Sequence, residues 1–320
     1  MTPRTPLTRR RRSLSVAAST AGTVTLTLAL TSCAVDSGPG GLKLTDVSRE
    51  SSAQSYARTL TSSATSLTTA LAAIEDATRY TDVSQRLSAA RRAADQAKTS
   101  LNLITPPREA AGAHSRLVLA LFQFSRDMAA TDRAVQDQRL CTMPAVRYQV
   151  GSSDGAKRLR EAVAQLRAAQ GGYSFPATIA DPGELTERRE RNGRFLKSGR
   201  RGGRGNLTID NNGDQDAVVS LTRNDKAVFV VYVRSKSKAT IRGVPDGTYT
   251  LFYTTGVDWD SGAKRFSRDC STRENLSDTV FQTTVGGGFI RWRNWTYIIA
   301  PDGGGNAPSA PVEPDDFPAD

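Results

Sequence analysis

One histidine, three cysteines and three tryptophans occur among 320 residues, and aromatics make up only 7%. The lone histidine, His114, would leave a metal site without a second imidazole and a serine–histidine hydrolase with a single choice of base. The chain has no HExxH pair, phosphate loop or dinucleotide fingerprint, and no strand-borne G-x-S-x-G elbow is recognised. A non-catalytic protein without metal or cofactor is therefore expected, with an extracytoplasmic hydrolase as the remote alternative. No apolar run reaches the ~20 residues of a spanning helix. Charge is uneven. The five arginines of residues 1–32 reduce the net +11 to +6 for the remainder, and residues 188–204 alone carry +7. What is left is nearly neutral. A nucleic-acid partner, which would need a basic face on the fold itself, is not expected.

Arg9, Arg10, Arg11 and Arg12 precede an apolar stretch over residues 16–30 that serine and threonine dilute. That order is an export signal, too short and too polar to persist as a membrane span. It ends Leu30-Thr31-Ser32-Cys33, which resembles the bacterial lipobox. The resemblance implies cleavage before Cys33 and a diacylglyceryl group on its sulfur. It also implies a membrane-anchored protein on the extracytoplasmic face, two acyl chains supplying the double attachment that stable anchoring needs. The alternative is an ordinary signal with a chance cysteine. Two cysteines remain, Cys141 and Cys270. In an oxidising compartment they permit one disulfide that joins two domains, or stay as separate thiols.

Residues 33–45 read as a tether and residues 46–172 as a four-helix bundle. Apolar side chains recur at spacings of four and three: Leu60, Ala64, Leu67, Leu71 and Ile74; then Val83 through Ile104; then Leu117 through Val135; then Leu159, Val163 and Leu166. Asp82 is placed to cap the second helix, Pro106-Pro107 stops one helix and starts the next, and residues 143–155 read as a loop. His114 is expected to be structural rather than a ligand.

Residues 173–205 show no sustained apolar period and read as an exposed basic, glycine-rich linker. In an up-down bundle it emerges at the pole where the first helix begins, near the tether. Its cations Arg188, Arg189, Arg191, Arg194, Lys197, Arg200, Arg201 and Arg204 would then rest on anionic lipid or cell-wall polymer, or merely solvate a spacer.

Residues 206–300 switch to short alternating or fully apolar stretches and read as an antiparallel β-sandwich, with residues 301–320 a flexible tail. Ile241-Arg242-Gly243-Val244-Pro245-Asp246-Gly247-Thr248-Tyr249-Thr250-Leu251 resembles an element of carboxypeptidase-regulatory-like (transthyretin-like) domains. That resemblance implies a sandwich with Tyr249 and Leu251 in its core and a non-catalytic accessory role. The order of helical half, then β half, in a lipoprotein is similar to that of actinobacterial envelope proteins. Asp210, Asn212, Asp214 and Asp216 are spaced like calcium ligands, but Asn212-Gly213 reads more readily as a hairpin turn. Along residues 289–299, alternation places Ile290, Trp292 and Ile298 toward the core. Arg291, Arg293, Trp295 and Tyr297 then form an outward ladder suited to sugars or an acidic polymer, unless Trp295 and Tyr297 pack beneath a loop. The function expected is a surface lipoprotein with a recognition module, open to protein partners; the alternative is an envelope spacer.

Overall fold

The computed structural model describes residues 52–77, 79–301 and 305–319. The export signal, Cys33 and the tether lie outside them. The described chain is mixed α plus β: five helices, then twelve strands. No described helix is long and apolar enough to cross a membrane.

The helical half comprises α1 (Ser52–Glu75), α2 (Val83–Asn102), α3 (Ala111–Gln136), α4 (Met143–Ser152) and α5 (Asp154–Ala168). α2 lies between α1 and α3, and α5 packs on the other side of α3. The expected apolar stripes are the buried ones, from Leu60 and Leu67 on α1 to Leu159 and Leu166 on α5. The outer face of α1 is rich in Thr, whose hydroxyls bond back to carbonyls four residues earlier, as Thr65 does to Thr61 at 3.1 Å.

Three expectations for this half are corrected. The loop at 143–155 is largely helix: Thr142 caps α4 by accepting from the Ala145 N–H, with Pro144 in the first turn, and Ser153 caps α5. Asp82 makes no side-chain cap, because a tight 3-10 turn over Tyr80–Asp82 leads into α2 instead. The supposed linker begins as part of the core. Tyr173, Phe175, Ala177 and Ile179 are buried against the helices while the residues between them are exposed. This is a period-of-two pattern, and an extended strap fits it better than a spacer.

The β half comprises β1 (Phe195–Ser198), β2 (Gly205–Asn211), β3 (Asp216–Arg223), β4 (Lys226–Val233), β5 (Ser237–Val244), β6 (Gly247–Asp260), β7 (Arg265–Asn275), β8 (Thr279–Phe281), β9 (Thr283–Gly286), β10 (Phe289–Trp292), β11 (Trp295–Ile299) and β12 (Ser309–Pro311). One sheet runs β1-β4-β3-β6-β7-β12, with β8 on β6; a second is β11-β2-β5; β9 and β10 pair only with each other. Leu207, Ile209, Ile241 and Ile299 of the small sheet share a core with Val219, Phe229, Val231 and Leu251 of the large one. β11 lies parallel to β2, a departure from the wholly antiparallel expectation.

From Phe229 to Val233, β4 is buried on both faces. Phe229, Val231 and Val233 point into the shared core; Val230 and Tyr232 pack on Trp259, Phe266 and the Cys141–Cys270 pair. The segment between β5 and β6 is the corner where the chain passes from one sheet to the other. Gly243 and Gly247 have φ of 75° and 154°, and the Tyr249 hydroxyl donates to the Pro245 carbonyl at 3.1 Å. Asn212-Gly213 is no hairpin turn, since β2 and β3 belong to different sheets. The buried Asn211 amide shapes that crossover by donating to the carbonyls of Gln215, Val233 and Arg234.

The halves join along the outer edge of β7. Residues 138–141 add to its first part, with Cys141 N–H to Ser267 O at 2.8 Å and Cys270 N–H to Gln138 O at 2.9 Å; β12 covers the rest. A lone strand edge invites pairing with other chains, and this one is closed on itself. The Cys141–Cys270 disulfide, with Cα atoms 6.5 Å apart, locks the junction. The supposed flexible tail is docked: Ser220 donates to the Pro318 carbonyl at 2.6 Å, and Arg265 pairs with Asp315.

Candidate functional site

The eight cations of residues 188–204 meet different fates. Arg188 and Arg189 are structural, a correction to their expected surface role. Arg188 makes a two-pronged bond to Asp258 (2.8 Å for each prong) and a longer one to Asp260 at 3.3 Å. Arg189 does the same to Asp216, which also accepts from the Tyr232 hydroxyl and the Ser235 N–H. Burial alone would raise the Asp216 and Asp258 pKa values; the arginine and other hydrogen bonds outweigh it and hold both below the ordinary carboxylate value. Arg194 pairs with Glu190. Arg191 and Lys197 are exposed.

Arg200, Arg201 and Arg204 take another course. They line a cleft of about 670 Å³ together with Arg223 from the end of β3, Pro245, Asp246 and Tyr249. Glycines position them. Gly202 and Gly203 donate to the Gly243 carbonyl at 3.1 and 3.2 Å, and a Cβ on Gly203 would lie 1.9 Å from the Val244 carbonyl oxygen. The loop is thereby pressed flat on the β5–β6 corner, with an arginine on either side. Aromatic rings steady the guanidinium groups: Arg201 lies 4.4 Å from the Phe195 ring centre, Arg223 5.9 Å from Tyr249 and Arg204 5.9 Å from Trp292.

The one carboxylate in the cleft, Asp246, is occupied by the Thr283 N–H at 2.8 Å and hydroxyl at 3.0 Å. None of the four arginines has an acidic partner among the described residues. Four planar cations around a void suit a phosphate or carboxylate ligand. Other clefts differ. One of about 400 Å³ at the junction of the halves is lined by only two arginines, Arg79 and Arg265, and the second is already paired with Asp315.

The outward ladder is overturned in part. Residues 289–299 form two strands rather than one, and the break at Arg293-Asn294 reverses the alternation. Tyr297 is 6% exposed and sits in the shared core beside Tyr253, where burial raises its pKa. Trp295 is half-buried, and its indole N–H donates to the Val280 carbonyl at 2.9 Å. Arg291 and Arg293 are exposed, and so are Ile290 and Trp292, which were expected inside.

The remaining candidates resolve simply. The Asp210, Asp214 and Asp216 carboxylates face Lys238, Lys236 and Arg189. No cluster of three or more His, Cys, Asp or Glu able to hold a metal exists among the described residues. His114 is buried on α3 with its Nδ1 3.1 Å from the Tyr56 hydroxyl, and desolvation lowers its pKa.

One G-x-S-x-G spelling does occur, at Gly151-Ser152-Ser153-Asp154-Gly155. Here helix precedes and helix follows, so no strand-borne elbow forms; the Ser153 hydroxyl is engaged as the α5 cap. Asp127, which accepts from Gly155 N–H, stands thirteen residues along α3 from His114, or about 20 Å of helix, so no serine–histidine pair is set. Arg223 is also unforeseen, as nothing in its own neighbourhood links it to the basic segment. Compared with known proteins, the chain matches no family model, no curated protein and no solved structure.

Proposed function

We propose that this chain is a non-catalytic envelope lipoprotein, held by a diacylglyceryl group on Cys33, whose β half recognises a phosphate-bearing anion. The helical half reads as a bundle that links the lipidated N-terminus to the recognition module. The β half reads as a two-sheet sandwich, its core shared between the β11-β2-β5 sheet and the large one. The observation that carries the reading is the convergence of Arg200, Arg201, Arg204 and Arg223 on one cleft without acidic partners. Structural arginines elsewhere, such as Arg188 and Arg189, are matched to carboxylates. Leu30-Thr31-Ser32-Cys33 behind an apolar stretch supports the tether.

The test is titration of the purified chain with fluorescent polyphosphate at low and high salt. Each cation near an anionic surface contributes on the order of 1 kcal/mol, so Arg200→Ala with Arg201→Ala weakens binding roughly thirtyfold. Binding unchanged in that variant, or absent at low salt in the parent, removes the anion reading. Radiolabelled palmitate reports on the anchor: incorporation in the parent and none in Cys33→Ala is expected. Equal membrane fractionation of the two eliminates the tether.

A further inference from the structure

The β9–β10 hairpin rises from the rim of the arginine cleft. Thr283, its first residue, lines that cleft, and Arg204 of the cleft stacks at Trp292, its last. Every residue from 284 to 294 is exposed. The hairpin joins no other strand, and Asp246 fastens its base through Thr283. Gly287 and Gly288, with φ of 58° and 79°, make the tight turn at its tip.

Its register sorts the side chains. Ile290 faces Val285 and Trp292 faces Thr283, so Val285, Ile290 and Trp292 share one face; Phe289 stands at the tip on the other. These four are 78%, 45%, 48% and 67% exposed, nearly half of the large exposed apolar residues among those described. No acid occurs from Thr283 to Ile299, while Arg291 and Arg293 flank the apolar residues.

The geometry points to an anionic lipid bilayer as the occupant: we infer that the hairpin tip dips into the headgroup layer while the arginine cleft holds lipid phosphates. Four residues at about 3.4 Å each give a finger about 14 Å long, enough to reach the roughly 5–10 Å depth to which interfacial segments sink. Tryptophan and phenylalanine favour that layer, and flanking cations are drawn to its charge. Four side chains offer on the order of 400 Å², about half of what each partner contributes to a standard protein interface. A second copy of the chain is therefore the poorer fit, and the adjacent cations would repel it. This inference rests on the reading of the cleft as an anion site and names the source of the phosphate.

The experiment uses the unlipidated mature chain, residues 34–320, so that neither an acyl group nor the basic export signal contributes, with vesicles of phosphatidylglycerol and phosphatidylcholine in equal parts or of phosphatidylcholine alone. The parent is expected to partition onto the anionic vesicles at least tenfold better, and less so at high salt. Phe289→Ser with Ile290→Ser alters only exposed side chains, leaves the fold intact, and lowers that partition at least tenfold. Lipids brominated on the acyl chain quench the parent's fluorescence. Trp292→Phe abolishes the quenching, because Trp259 is buried and Trp295 is held to Val280.

Vesicle binding undiminished in Phe289→Ser with Ile290→Ser overturns the proposal. So does unquenched Trp292, or a concentration-dependent dimer that this variant dissolves. If that variant still binds vesicles while Arg200→Ala with Arg201→Ala loses polyphosphate, the hairpin inference fails and the cleft reading stands. Polyphosphate binding indifferent to the arginines is failure of the cleft reading itself.

Discussion

Replacing Cys141 and Cys270 together with alanine tests what couples the two halves. The bridge closes a loop of 129 residues. The chain-entropy relation gives about 5 kcal/mol for such a loop at 25 °C, comparable to the whole stability of many domains. What would remain across the junction is weaker. Three main-chain hydrogen bonds join residues 138–141 to 267–270, at 2.8, 2.9 and 3.2 Å, and the Arg265 guanidinium lies 6.0 Å from the Tyr80 ring centre. At about 1 kcal/mol each they fall short of the covalent constraint.

The parent should therefore unfold in urea as one unit and the double variant as two. The probes separate naturally, because all three tryptophans, Trp259, Trp292 and Trp295, lie in the β half and all five helices in the other. Tryptophan emission and far-ultraviolet circular dichroism should share a midpoint in the parent and diverge in the variant. Coincident midpoints in the variant, with a loss under about 1 kcal/mol, would refute the argument that the bridge dominates the coupling.

Two further outcomes follow from the helical half. Phe175→Ala removes a fully buried ring from the strap and should cost about 3–5 kcal/mol in a denaturant titration; a cost below 1 would make the segment a spacer after all. His114 is the chain's only histidine and its pKa is lowered from 6.5 by desolvation, so the unfolded chain binds more protons just below that value. Stability should be fully present above pH 6.5 and decline as pH falls through the lower, folded value. Melting temperatures of His114→Gln between pH 7 and pH 5 should show a shallower decline than the parent's; identical slopes would contradict the assignment.

The helical stripes and the first β strands were legible because burial there follows a single period. Leu60, Leu67 and Ile74 repeat at helical spacing, and β2, β3 and β4 are short alternating or apolar stretches of the kind expected from residue 206 onward. The strap at Tyr173–Phe175–Ala177–Ile179 was not, because its alternation is interrupted by Pro176 and carries no run of β-branched residues. Residues 289–299 failed for a different reason. Two strands of equal apolar character meet at Arg293-Asn294, and one residue of slip exchanges inside for outside, sending Tyr297 into the core and Trp292 to the surface.

The basic segment shows the limit of charge counting. Arg188, Arg189, Arg200 and Arg201 look alike in sequence. Their fates are set by Asp216 and Asp258, 27 and 70 residues away, which only the fold brings near the first two. Arg223 joins the cleft by the same long-range placement.

The pairing of position 141 with position 270 has a temporal side. Ribosomes add about 5–20 residues each second, so about 6–26 s pass between the synthesis of the first sulfur and that of its mate. For that interval the earlier thiol is a bachelor, open to capture by glutathione, by a neighbouring nascent chain or by an oxidising enzyme. The yield of correctly joined molecules should then depend on how fast translation proceeds and on how well the compartment guards a waiting thiol.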